Sequence, residues 1–144
     1  MPHRHLVDAH VLLLRDGHVL LSRRRGDAFD GMWHLPSGKV EAAEDVVTAA
    51  ARELAEEVGV RVAPADLSLV HTAHVTAPAQ EPRFGLFFGA ERWDGEPVNR
   101  EPAKCHGLEW FPLTELPEPL ISYTRTGLEG YLRGEPFSLL GWPA

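Results

Sequence analysis

Residues 44 to 58 constrain the fold more than any other stretch. Val47, Ala50, Ala51, Leu54 and Val58 recur at spacings of 3, 1, 3 and 4, the period that gathers apolar side chains into one stripe along a helix. The pattern predicts a helix from Glu44 to Val58, with Glu44 and Asp45 in a first turn that favours negative charge and Gly59 as its stop. A helix with one apolar face must bury that face against another layer.

The rest of the chain supplies strands. Leu6–Leu14 and His18–Ser22 flank a turn at Asp16-Gly17, the mark of a hairpin. Gly26–Gly31 reads as a loop, Met32–Leu35 as a short strand, and Pro36, Ser37 and Gly38 as a break. Leu67–Val75 and Phe84–Trp93 read as strands joined through Pro78–Pro82. Leu108–Phe111 reads as another strand, Leu120–Arg133 as a weak second helix, and 134–144 as a strapped-down tail. Strands on both sides of a helix without regular alternation predict an α+β chain with a mixed sheet.

The 144 residues suit one domain, 1–144, with a sizeable core. A net charge of −7 argues against non-specific binding to duplex nucleic acid or to an anionic membrane. It leaves room for a small anionic ligand, because a metal ion inverts a local field. Cys105 is the only cysteine, so no intrachain disulfide forms, and a reducing, cytoplasmic setting is expected. No apolar run reaches the ~20 residues that span a bilayer. Eight histidines raise the question of zinc, but there is no HExxH and no Cys/His cluster.

The helix carries more than its stripe. Glu53, Glu56 and Glu57 stand at i, i+3 and i+4 and project within about 100° of arc. Like charges at these spacings oppose one another by a few tenths of a kcal/mol per pair, so three of them side by side call for a counter-charge. A hard divalent cation provides it, since Mg²⁺ takes oxygen ligands and shares them with substrate phosphates. The acidic face also borders the buried stripe, and bulk solvent reaches it from one side.

Around these three, Gly38, Glu44, Arg52, Glu53, Glu56, Glu57 and Gly59 fill every fixed position of G-x5-E-x7-R-E-U-x-E-E-x-G-U, where U is apolar. Chance fills seven such positions about once in 10⁸ per register. The segment resembles the Nudix signature. The stretches Trp33–Glu41, Glu91–Pro97 and Trp110-Phe111 are similar to MutT-type members.

The resemblance implies a Nudix fold, a mixed β-sheet sandwiched between α-helices. It also implies hydrolysis of a nucleoside diphosphate linked to another group, with Mg²⁺ or Mn²⁺ as cofactor. Carried over residue by residue, Glu53, Glu56 and Glu57 would be metal ligands, joined by a backbone carbonyl at Ser37 or Gly38. Arg52 would pair with Glu44 or a neighbouring carboxylate and orient the ligands. Glu101 matches the position of the proton acceptor in MutT-type members, and Glu53 or Glu56 is the alternative. Arg23 and Lys39 are the candidate phosphate contacts.

The expected substrate is a small nucleotide, a nucleoside triphosphate cleaved to monophosphate and pyrophosphate. A nucleotide sugar, a dinucleotide, or a sensing module that binds nucleotide without turnover remain as alternatives. Relatives that pair make a homodimer a further expectation. Two departures stand out. The usual Pro-Gly-Gly lead-in is Pro36-Ser37-Gly38, and the segment Leu116–Tyr123 lacks the Asn with which MutT-type enzymes read a purine.

Overall fold

The computed structural model describes residues 1–143. The strands are β1 (Leu6–Arg15), β2 (His18–Arg24), β3 (Trp33–His34), β4 (Ser37–Lys39), β5 (Ser68–Val75), β6 (Arg83–Ala90), β7 (Cys105–Pro112) and β8 (Phe137–Leu140). The helices are α1 (Val46–Val58) and α2 (Ser122–Arg133), with a 3₁₀ turn at Pro64–Asp66. The sheet runs β3-β2-β1-β6-β5-β8, with β4 added to β1 and β7 to β2.

β1 is the spine. It runs parallel to β6 from Leu6↔Arg83 to Leu13↔Ala90. Its residues from Asp8 to Leu13 are all buried, as a strand covered on both faces must be. On one face Ala9, Val11 and Leu13 pack with Ala50, Leu54 and Val58 of α1. On the other, Leu12 joins Leu21, Phe87 and Leu128 of α2. The sheet is mixed and lies between two helices, which is the α+β arrangement expected. No helix among the described residues is long and apolar enough to cross a membrane.

One detail of the pairing opens the site. β1 and β2 pair only beside their turn, at Leu14↔Val19 and Arg15↔His18. Beyond it β1 pairs with β4 through Asp8↔Lys39, Ala9↔Gly38 and His10↔Ser37, while β2 pairs with β3 and β7. The splay leaves a cleft between β2 and β4, over which the end of α1 leans.

Several elements differ from the sequence reading. α1 begins at Val46, because Asp45 is its N-cap: Asp45 Oδ1 accepts from Thr48 N at 2.8 Å. Glu44 therefore stands before the helix and is free to bind elsewhere. Ser37–Lys39 is a strand and not a break. The tail carries β8, which joins β5 in parallel from Thr72↔Phe137 to Val75↔Leu140. β7 starts three residues early, at Cys105, and α2 two residues late, at Ser122.

Candidate active site

The stripe of α1 faces the sheet, so its acidic residues emerge along the edge next to β4. Ser37 N donates to Glu57 Oε2 at 3.1 Å. A methyl group at Gly38 would overlap the Glu53 carboxylate. Glycine is required here because the carboxylate occupies the space a side chain would take. At the helix end, Gly59 adopts φ 71°, the left-handed cap that a glycine takes without strain.

Arg52 collects the remaining carboxylates. Its Nε donates to Glu44 Oε2 at 2.7 Å and its Nη2 to Glu44 Oε1 at 3.0 Å, a two-pronged pair. Its Nη1 reaches Glu53 Oε1 at 2.9 Å and Glu56 Oε2 at 3.3 Å. One cation thus fixes the rotamers of two acidic residues while leaning on a third.

Glu57 sits deepest. Burial, then the hydrogen bond and charge of Glu53, then the charge of Glu101 push its carboxyl far above the usual carboxylate range, against the pull of the Ser37 N–H. By themselves, Glu53 and Glu57 can approach this closely only by sharing a proton. A hard cation removes that constraint, and an all-oxygen set of carboxylates beside a strand backbone suits Mg²⁺ or Mn²⁺. The residues present fit such an ion. As the side chains stand, no three acidic, imidazole or thiol groups converge on one point among the described residues; Glu53 and Glu56 both turn to Arg52.

The cleft holds about 650 Å³. Arg52, Glu53, Glu56 and Glu57 form one wall with Ser37, and Glu101 closes one side. Arg24, Arg25, Asp27 and Lys104 also line it, with the buried Ser22, His34 and Cys105. Lys104 Nζ lies 3.6 Å from Glu101 Oε2, and Arg24 pairs with Asp27. His34 is pushed down to about 4 by burial and then by Arg24, so its imidazole is neutral at pH 7. A cleft that gathers carboxylates and cationic side chains together suits a substrate that brings anionic oxygens and takes a cation.

The structure brings together Glu53, Glu56, Glu57, Arg52, Ser37 and Glu101, with Gly38 packed under Glu53. Two other candidates stand apart. Arg23 turns from the cleft: its Nε donates to Gly31 O at 3.1 Å and its guanidinium lies over Trp33. The Lys39 side chain is exposed and outside the lining; its carbonyl accepts from Arg52 Nη2 at 3.3 Å. Arg24, Arg25, His34 and Lys104 line the cleft without having been singled out. Arg23 is the first of three consecutive arginines, Arg23-Arg24-Arg25, and the other two, not Arg23, line the cleft.

A family model described as NUDIX domain matches residues 3–129. The chain belongs to the Nudix family. It is 33% identical over 118 residues to the 8-oxo-dGTP diphosphatase of Escherichia coli, covering 78% of this chain and 89% of that one. It is 31% identical over 116 residues to a human 8-oxo-dGDP phosphatase, covering 78% of this chain, and spans about a third (34%) of that longer protein. Among solved structures, a MutT Nudix hydrolase from Burkholderia pseudomallei superposes with a TM-score of 0.82 at 33% identity, covering 89% of this chain and 98% of that one. The MutT-like character read from the sequence therefore extends to the whole fold.

Proposed function

We propose that this Nudix chain is a Mg²⁺-dependent pyrophosphohydrolase that takes a nucleoside triphosphate and water to the monophosphate and pyrophosphate. One observation carries the reading: Glu53, Glu56 and Glu57 line one cleft together with Glu101, Arg24, Arg25 and Lys104. The relatives named as nucleotide phosphatases support the same class.

Glu53, Glu56 and Glu57, with a backbone carbonyl of Ser37 or Gly38, would hold the ion. When bound, the ion neutralises the diphosphate and lowers the pKa of a water. Arg52 keeps Glu53 and Glu56 in place through its anchor on Glu44. Arg24, Arg25 and Lys104 would attract the phosphate oxygens of the substrate. Glu101 takes the proton of the attacking water. It stands close enough to Glu57 for its charge to raise that carboxyl.

A panel of dGTP, 8-oxo-dGTP, ATP, a nucleotide sugar and a dinucleoside polyphosphate with Mg²⁺ tests the reading, with Glu56→Gln assayed alongside. Release of pyrophosphate from a triphosphate is expected, with a loss of about 10² or more in Glu56→Gln, a metal ligand in this scheme. Release of phosphate or pyrophosphate from none of them would leave a nucleotide-sensing module in place of an enzyme. Full activity in Glu56→Gln would sink the metal assignment alone.

A further inference from the structure

Glu101 is carried on the loop between β6 and β7, and most of what fixes that loop is backbone. Val98 N donates to Val58 O at 2.9 Å and Arg100 N to Glu57 O at 3.1 Å, which satisfies carbonyls that the end of α1 leaves open. Lys104 N donates to Glu101 O at 2.9 Å, and Arg25 N donates to Lys104 O at 3.0 Å. The loop is thereby moored to the helix that bears the acidic cluster and to the end of the strand that bears Arg24.

Asn99 supplies the side-chain part of this mooring. Its Oδ1 accepts from Glu101 N at 3.0 Å, and its Nδ2 donates to Cys105 O at 2.9 Å. A carboxamide accepts and donates through two atoms held in one plane. The half-buried Asn99 therefore fixes the distance between the backbone of Glu101 and Cys105, the first residue of β7, which also lines the cleft.

We infer that Asn99 is the positioning residue for Glu101: it sets the direction from which that carboxylate enters the cleft, and it touches neither substrate nor ion. The inference rests on the hydrolase reading and on Glu101 as the proton acceptor. Misplacing a reacting group by about 1 Å costs on the order of 10²-fold. Asn99→Ala should therefore lower the rate at the chemical step and leave binding largely alone. Serine keeps a weaker acceptor for the amide two residues on but is too short to reach Cys105 O, so Asn99→Ser should recover part of the loss.

The test is a double-mutant cycle on Mg²⁺-dGTP hydrolysis with wild type, Asn99→Ala, Asn99→Ser, Glu101→Gln and Asn99→Ala/Glu101→Gln, together with exchange of the Glu101 amide proton. The expected result is a drop of about 10- to 10²-fold in kcat for Asn99→Ala, with KM within about threefold and partial recovery in Asn99→Ser. In the Glu101→Gln background the same substitution should cost less than about twofold, because residues that act through one another are non-additive. The Glu101 amide should lose protection in Asn99→Ala.

An equal cost in both backgrounds would make Asn99 an ordinary structural residue and overturn the inference, as would wild-type kcat or unchanged amide protection in Asn99→Ala. Wild-type activity in Glu101→Gln overturns it too, by removing Glu101 as the acceptor while the hydrolase reading stands. No turnover of dGTP or of any other panel member by the wild type overturns the hydrolase reading and this inference together.

Discussion

Arg52 and Glu44 face each other through two parallel hydrogen bonds, of 2.7 and 3.0 Å, although Glu44 lies outside the helix that carries Arg52. The pairing anchors the guanidinium so that its remaining nitrogen stays on Glu53 and Glu56. Lysine keeps the charge and loses the fork. Arg52→Lys should therefore fold with near-normal stability and lose about 10- to 100-fold in metal affinity or activity. Mg²⁺ titrations of the hydrolysis rate check this, and an unchanged titration would mean that charge alone is what Arg52 contributes.

Gly38 yields its side-chain space to the Glu53 carboxylate. Gly38→Ala should swing Glu53 away from the cleft and cut kcat by about 10². Gly107, on β7, has nothing within 4 Å of the place a methyl would occupy, so Gly107→Ala is the matched control and should keep full activity. Equal losses in the two variants would point to general disturbance of the sheet.

How much of this was legible in the sequence follows from the kind of signal each part gives. α1 and its acidic face were readable because the 3.6-residue period needs no partner to be seen. The partner of Arg52 was open between Glu44 and a nearer carboxylate, and it took the cap at Asp45 to release Glu44. β4 was missed because Ser37-Gly38-Lys39 has no apolar alternation; its strand character comes entirely from pairing with β1. β8 was missed for the same reason: it is held as a strand by β5.

The arginine run shows a subtler limit. Strand alternation puts Arg23 and Arg24 on opposite faces of β2, and Ser22 and Arg24, two residues apart, share the face that lines the cleft. Which of the two faces does so is decided by how β2 pairs with β3 and β7, and nothing in the local sequence announces it.

Metal binding can be read without substrate. An ion that binds only the folded state stabilises it by RT ln(1 + [L]/Kd), about 2.7 kcal/mol at a hundred times Kd. For a chain of this size each kcal/mol moves Tm by roughly 2–4 °C. Raising Mg²⁺ at constant ionic strength should raise Tm by several degrees, and Na⁺ should not. Glu57→Gln should abolish most of the shift. A Tm indifferent to Mg²⁺ and Mn²⁺ would rule out the carboxylates of α1 as their ligands.

His10 sets the acid side of the stability profile. It is buried on β1, stacked on Phe87 at 4.2 Å and edge-on to Tyr123, and neither ring nitrogen has a partner. Burial first, then the charges of His34 and Arg83, push it down to about 3; His34 is likewise pushed down to about 4. Both rings stay neutral in the fold and take up protons near 6.5 once the chain unfolds. The unfolded state therefore binds more protons below pH 6.5, and stability falls as pH drops from there toward 4. The slope is roughly 1 kcal/mol per pH unit for each ring, in a window above that in which most carboxylates titrate. Glu57, held protonated in the fold and ionised once unfolded, acts with the opposite sign over the same range, so the decline should show in urea unfolding of Glu57→Gln at pH 7.5, 6 and 5. In that Glu57→Gln background His10→Leu, which removes the buried nitrogens and keeps similar bulk, should reduce the slope by about half. A flat profile of Glu57→Gln between pH 7.5 and 5 would mean that His10 and His34 find protons in the folded state after all.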